Sequence, residues 1–424
     1  MIKAKKIRTV YGVTEFYLPN GLRILYKQVK AAPVVAVCIT FHVGSRNEAP
    51  GHTGATHILE HLLFKDSKKF NKKNGKAITD YLEWFGAYIN ATTWLDRTNY
   101  FELLHKERLE EALELEADRL RGSLFNEQDL ASEMTVVRNE FERSRNNPFE
   151  LLDEEVMAAA YTLHPYRIPT IGVKEDIENS TAKKLREFYD TFYWPNNATL
   201  AVMGDVPLRE VLPLVEKYFG PLPASPHTIP TMDVVEPAQK APRSVEIKKQ
   251  MGVSIAQISY KIPPAMHKDY PLTMLLAILL AGGFSSRLQK KLVDTGLAAD
   301  VSAFAYPLHD PGTLTVQAHV GTTATPQKIV EIIRREVASL GKTVTAAELK
   351  RAKERVLSMI SYERDGVFNE IRAISEATAA GDWTLAYNME EAVKKATPAQ
   401  VHRAAKTYLT PHNETSGVLL NQPS

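Results

Sequence analysis

The sequence predicts an α+β protein made of two tandem, similar α/β domains, and three observations carry that reading. At 424 residues the chain exceeds what one hydrophobic core usually organises. Near its middle, Pro221, Pro223, Pro226, Pro230, Pro237 and Pro242 punctuate a stretch that neither a helix nor a central strand would tolerate. On either side of it a pattern recurs: Thr181, Pro195 and Asn197 return as Thr397, Pro411 and Asn413, 216 residues later, each time between a helix and an apolar strand. Residues 1–220 and 244–424 are therefore expected to form the two domains, with 221–243 as the linker.

Composition narrows the function classes. Hydrophobic residues make up 44% of the chain and charged ones 24%, as in an ordinary globular protein. The 52 basic and 50 acidic side chains are well mixed, so there is no electrostatic footprint for nucleic acid. The longest apolar run, from Leu272 to Phe284, is too short to cross a bilayer and contains Gly282 and Gly283, so no membrane span is expected. Cys38 is the single cysteine and cannot form an internal disulfide. The start, Met1-Ile2-Lys3-Ala4-Lys5-Lys6, is basic but leads into no apolar segment, so no signal peptide is visible; a chain beginning after a removed signal would read the same.

Taken in order, residues 15–26 read as two short strands around the turn Pro19-Asn20-Gly21, followed by a strand about Cys38. The glycine-rich loop containing Gly44, Gly51 and Gly54 delivers the chain to a short helix that carries His57-Ile58-Leu59-Glu60-His61. Positions four apart on a helix return to nearly the same azimuth, so His57 and His61 can share one metal ion with Glu60 beside it. Ile58, Leu59, Leu62 and Leu63 anchor the opposite side. His-x-x-Glu-His is the inverted zincin pattern, in which the two histidines are ligands and the glutamate activates a metal-bound water. The bland alternative is a pair of surface histidines without a metal. His52, in the polar loop, reads as solvated, and so does the basic segment 65–76.

A helix over 77–85 stops at Gly86, and 87–93 and 98–104 then form a hairpin. If its first strand is a sheet edge, the unused backbone groups can pair with an extended peptide; otherwise it is an internal hairpin. Residues 106–121 form a helix. The next begins at the N-cap Asn126 and runs to Asn146-Asn147-Pro148, placing Glu133 and Glu140 two turns apart on one face. Either glutamate can supply a third, oxygen ligand, and alone the pair is ordinary surface charge. After His164-Pro165-Tyr166 come a helix over 181–193, a turn at 194–197, a strand over 198–205 and a helix over 208–219 bent at Pro213.

Several of these stretches, in this order, resemble the inverted-motif zinc peptidases that include pitrilysin, insulin-degrading enzyme and mitochondrial processing peptidase. They are 57–65, Phe85-Gly86-Ala87-Tyr88-Ile89-Asn90-Ala91-Thr92-Thr93, 96–100, the Glu133 and Glu140 pair, 164–166, and 193–197 before Gly204-Asp205. The length resembles the half-size branch. The resemblance implies domains that are each a mostly antiparallel sheet with helices packed on it, and one Zn2+ per chain held by His57, His61 and Glu140. It implies Glu60 as the base acting on zinc-bound water, Glu133 as a supporting carboxylate of the catalytic apparatus, and Asn90, Ala91 and Thr92 as the strand that binds extended peptide. It also implies export to the periplasm, with cytoplasm or mitochondrial matrix as alternatives.

The second half departs from the family pattern. Where active members carry an Arg and a Tyr seven residues apart that reach the substrate, this chain has Val293 and Ala299, neither able to donate a side-chain hydrogen bond. Arg287 falls at a position the family uses for packing. The expectation is a zinc endopeptidase subunit that needs a homologous, inactive partner subunit supplying Arg and Tyr. The competing expectation is a non-catalytic scaffold like the core subunits of respiratory complex III.

Overall fold

The computed structural model of the chain describes residues 3–422. The first half runs through β1 (Lys5–Val10), β2 (Val13–Tyr17), β3 (Arg23–Gln28), β4 (Val34–Phe41), α1 (Ala55–Leu62), α2 (Ile78–Glu83), β5 (Tyr88–Thr93) and β6 (Thr98–His105). It continues with α3 (Leu109–Gly122), α4 (Glu127–Arg145), α5 (Pro148–Ala160), α6 (Lys174–Glu178), α7 (Ala182–Phe192), β7 (Ala198–Gly204) and α8 (Leu208–Phe219). The second half contains β8 (Arg243–Lys249), β9 (Ile255–Lys261), α9 (Tyr270–Ala281), β10 (Ala298–Ala305) and β11 (Thr313–Val320). Then follow α10 (Pro326–Thr343), α11 (Ala346–Tyr362), α12 (Gly366–Ala379), α13 (Leu385–Lys395), α14 (Pro398–Tyr408) and β12 (Glu414–Asn421). None of these helices is long and apolar enough to cross a membrane.

The strands form two sheets, seven-stranded in the order β1-β2-β3-β7-β4-β6-β5 and five-stranded in the order β10-β11-β9-β12-β8. Both are antiparallel except for one pair each, β3 with β7 and β8 with β12. Read from that parallel pair, the run β3-β7-β4-β6-β5 has the same connectivity as β8-β12-β9-β11-β10, so the architecture is a tandem repeat of one α/β topology. The repeated residues have repeated jobs. Thr181 and Thr397 cap α7 and α14 by accepting from the N–H groups of Lys184 and Gln400. Asn197 and Asn413 each donate through Nδ2 to the carbonyl of the last helical residue, Phe192 at 2.9 Å and Tyr408 at 2.7 Å.

The compact units are not two uninterrupted stretches, in contrast to the linear division at 221–243. One gathers Met1–Asn139, Pro169–Asp233 and Glu363–Ala386; the other gathers Glu140–Ile168, Val234–Tyr362 and Tyr387–Ser424. The prolines do mark a crossing, between Asp233 and Val234. The two exchanged helices explain the rest. Nearly every residue of β4, β7 and β9 is buried, so the middle of each sheet needs apolar cover on both faces. In the first unit α12, from the second half of the chain, packs on β4 and β7. In the second unit α5, from the first half, lies across β8, β9 and β12. Leu151, Leu152 and Val156 there meet Ile255 and Leu419 in one cluster. Pro148 thus does more than end α4: it occupies the first turn of α5, whose N-cap is Asn147.

Beneath the hairpin that leads to the motif region, Glu102 of β6 and Glu116 and Arg119 of α3 are completely buried. The Arg119 guanidinium sits 2.8 Å from Glu116 and 3.9 Å from Glu102, with its Cζ 5.0 Å from the Phe64 ring centre and 4.4 Å from that of Tyr100. Burial, then the like charge and hydrogen bond of Glu116, push the Glu102 carboxyl well above its ordinary range, against the pull of Arg119. Burial and the neighbouring carboxyl thus favour the protonated form of Glu102.

Two outcomes follow from these contacts. A Cβ on Gly417 of β12 would stand 2.3 Å from Val156 and 2.9 Å from Leu152. Gly417→Ala is therefore expected to lower stability by about 1–3 kcal/mol through overpacking, read from urea midpoints. For Glu102, the folded chain keeps a proton that the unfolded chain releases above the ordinary carboxylate pKa, so its stability falls as pH rises through that window. Glu102→Gln has no such titration, and its stability relative to wild type should rise between pH 5 and pH 8, by at most about 1.4 kcal/mol per pH unit. Parallel pH profiles for the two proteins would exclude the shared proton.

Candidate metal centre

Helix α1 begins at Gly54, whose φ of 85° is left-handed and whose missing side chain cannot cap the helix. Glu48 does so from the preceding loop: its Oε2 accepts from the Gly54 N–H at 2.8 Å and its Oε1 from the Thr56 N–H at 2.7 Å. Burial pushes the Glu48 carboxyl up to about 8, against the pull of those donors. Gly54 also meets a second left-handed glycine, Gly172. A Cβ on Gly54 would come within 2.5 Å of the Ile171 carbonyl, and one on Gly172 within 2.6 Å of the Gly54 nitrogen. Asp176 holds the loop before the helix, accepting from the Thr53 hydroxyl at 2.7 Å and the Gly51 N–H at 3.2 Å. With Ile58, Leu59 and Leu62 buried, the position and rotation of α1 are set before any ligand side chain is considered.

On the remaining face the His57 and His61 ring centres are 4.8 Å apart, nearly perpendicular. Burial, and then the neighbouring His61, lower His57 to about 4, so its imidazole is neutral at physiological pH, as a metal ligand must be. His61 directs Nδ1 at Glu133 Oε2, 3.1 Å away. That hydrogen bond selects the tautomer that presents Nε2 as the ligand atom. The other Glu133 oxygen lies 2.5 Å from Lys65 Nζ. Burial raises the Glu133 carboxyl, but the hydrogen bonds from Lys65 and His61 outweigh it and leave the group below its ordinary value, ionised. Lys65 is therefore not the solvated lysine that the sequence suggests.

Glu140 lies two turns further along α4. The boundary between the compact units falls just before it, inside this unbroken helix. One ligand atom from each of His57, His61 and Glu140 lies within 4.8 Å of the others, the one such group among the described residues. Around a tetrahedral zinc two ligand atoms stand about 3.4 Å apart, so binding draws them closer by at most about 1.4 Å. Two neutral imidazoles and one carboxylate, with a position left for water, are the donor set of a catalytic zinc site, and the residues fit that ion. Of the two glutamates left open by the sequence, Glu140 joins this group and Glu133 braces His61.

Glu60 is held by a residue the sequence reading passed over. The Thr93 hydroxyl, at the end of β5, stands 2.5 Å from Glu60 Oε2. The signal was present, since Thr93 shares a strand face with Ala91, the face toward α1, but nothing local says that the facing residue is Glu60. Strand β5 pairs only with β6 and is a sheet edge. The Trp94 N–H donates to the Arg97 carbonyl, so counting back by twos turns the backbone groups of Thr92 and Asn90 toward β6 and those of Thr93, Ala91 and Ile89 toward the open edge. Asn90 Oδ1 accepts from the Ala91 N–H at 2.8 Å. The Thr92 hydroxyl donates to Asn99 at 2.8 Å, and the Thr92 carbonyl accepts from Arg97 Nη1 at 2.7 Å.

Among the described residues the second repeat shows no such group. Its helix α9, placed between β9 and β10 as α1 is between β4 and β5, is apolar and carries neither histidine nor carboxylate. Arg287 is fastened to Glu348 at 3.0 Å and to the hydroxyls of Ser339 at 2.7 Å and Thr343 at 2.9 Å, a packing residue as the pattern implied. Val293 closes the π-helical turn Gln289–Val293, and Ala299 is exposed on the edge strand β10.

Known proteins resemble this chain in sequence and fold. Residues 23–174 match the family model described as insulinase, peptidase family M16, and residues 179–356 match the model described as the peptidase M16 inactive domain. The zinc protease PqqE of Helicobacter pylori is 33% identical over 342 residues, 79% of this chain and 75% of that protein. A probable mitochondrial-processing peptidase subunit beta of Arabidopsis thaliana is 26% identical over 359 residues, 82% of this chain and 67% of that one. Among solved structures, a protease from Helicobacter pylori superposes with a TM-score of 0.90 at 27% identity, covering 100% of both chains. A chain of complex III from Candida albicans shares the fold, with a TM-score of 0.80 at 15% identity and 96% of each chain covered. With His57 and His61 of α1 and Glu140 of α4 brought together, and one α/β topology repeated in tandem, this chain belongs to the M16, insulinase-type, family of peptidases.

Proposed function

We propose that this chain is the zinc-bearing subunit of an endopeptidase that hydrolyses extended peptides, and that it needs a homologous partner subunit to complete its substrate site. The observation that carries the reading is the meeting of His57, His61 and Glu140 beside Glu60, next to an open strand edge. Bound Zn2+ would supply Lewis acidity, which lowers the pKa of water and polarises the scissile carbonyl.

The protein groups do the rest. The outward N–H and C=O groups of Ile89 and Ala91 pair with a peptide lying antiparallel or parallel to β5, and they recognise main chain rather than sequence. The peptide takes the place of the Asn90 side chain on the Ala91 N–H. A segment already folded into helix or sheet has no free backbone to offer, which restricts substrates to unfolded stretches. Glu60 takes the proton of the attacking water and returns it to the leaving amine. Glu133 keeps His61 in register.

The need for a partner rests on Val293 and Ala299, which cannot donate where related peptidases use Arg and Tyr. A scaffold like the complex III chain has no physical use for four intact metal-site residues, and this favours the enzyme.

With the partner present, Glu60→Gln is expected to lose about 10²–10⁴-fold in peptide cleavage while keeping its zinc, and a chelator should abolish wild-type activity until zinc is restored. The isolated wild-type chain should cleave weakly. Equal cleavage by wild type and Glu60→Gln would remove Glu60 as the base, whereas no cleavage above background by wild type with its partner counts for the scaffold. In a separate measurement, Glu133→Ala should weaken zinc binding about 10–100-fold by releasing His61, whereas Glu60→Ala should leave it near wild type.

A further inference from the structure

The residue next to the peptide-binding strip also grips the base. Thr93 is the last residue of β5, and its backbone N–H and C=O face the same open edge as those of Ala91 and Ile89. Its side chain points to the other partner: the hydroxyl reaches Glu60 Oε2 at 2.5 Å. The strand end cannot drift, because Arg97 of the adjoining turn donates to the Thr92 carbonyl at 2.7 Å and is itself held by Glu376 of α12 through Nε at 3.1 Å and Nη2 at 2.5 Å.

We propose that Thr93 is a positioning residue that locks the Glu60 carboxylate to the edge strand, so that a peptide zipped onto β5 is delivered in fixed register to its base. The inference rests on the functional reading above. The Thr93 hydroxyl donates to the ionised carboxylate and fixes the plane of the group, so Glu60 does not have to be reoriented after the peptide docks. Binding in an extended form and proton transfer then depend on the same half-turn of backbone. A peptide shifted along the edge by one residue would turn its other face to the base.

Valine has nearly the shape of threonine and favours strands, so Thr93→Val removes the hydroxyl with little change in fold. In the assembly in which wild type cleaves, Thr93→Val is expected to lower kcat about 10–100-fold, the loss of one hydrogen bond to a charged group, with KM within about twofold and zinc content unchanged. Thr93→Ser, which keeps the donor, should stay within about threefold of wild type. The zinc-loaded chain should lose a similar factor in affinity for a phosphinic peptide, whose tetrahedral oxygen Glu60 contacts. Adding Thr93→Val to Glu60→Gln should cost nothing further in that affinity, since the hydroxyl acts only through the carboxylate. Wild-type kcat in Thr93→Val, an effect carried by KM or by zinc loss, or a full further loss in the Glu60→Gln background would each overturn the proposal. If Glu60→Gln itself cleaves like wild type, the functional reading falls and takes this one with it. If Glu60→Gln is inactive and Thr93→Val is not impaired, only the coupling falls.

Discussion

A helix of eight residues cannot hold two imidazoles in register by its own stability, because isolated helices so short do not persist in water. Everything else at the centre depends on α1 being docked. Its N-terminus is gripped by the Glu48 carboxylate, its entry loop by Asp176, its closest backbone neighbour by the Gly54 and Gly172 approach, and its apolar side by the sheet. Each contact comes from a different stretch of chain, so the motif is rigid only in the finished fold. This is also why the ligand set can be prearranged: the side chains lose little further freedom when a cation arrives.

The same economy governs the surroundings of the ligands. Glu133, Lys65 and His61 form a short chain of charge-assisted hydrogen bonds that chooses a tautomer. Thr93 and Glu60 form another that ties the motif glutamate to the strand edge. In each, a residue outside the His57, His61 and Glu140 group fixes the direction of one within it or beside it. Deeper down, Arg119 lies between the rings of Tyr100 and of Phe64, just beyond the motif helix, with Glu116 and Glu102 beside it. A buried pair of this kind is kept tolerable by its completeness, since removing one member would strand the others.

Duplication explains the division of labour between the two units. One topology serves both, with the same capping threonine and the same asparagine clasp. Yet α9, placed in the second repeat as α1 is in the first, carries neither histidine nor carboxylate. The exchange of α5 and α12 between the halves follows from the burial of the central strands on both faces, a demand that a half-chain with helices for one face does not meet alone.

What the sequence by itself determined is whatever repeats with a short period or a fixed offset. The metal helix shows in the four-residue spacing of His57 and His61, the shared face of Glu133 and Glu140 in a two-turn separation, and the tandem architecture in the 216-residue echo of Thr181, Pro195 and Asn197. These are properties of a local helix or of a copied block, so no folding is needed to see them. The resemblance already named Glu140 as the third ligand, and the structure brings it to the histidines; only the tertiary structure decided that Lys65 is engaged, that Glu48 caps α1, that Thr93 reaches Glu60 and that α5 and α12 change sides. Each of those is a contact between residues that only folding brings together, or a consequence of two-sided burial. Their partners are set by how sheets and helices pack, which no spacing along the chain encodes.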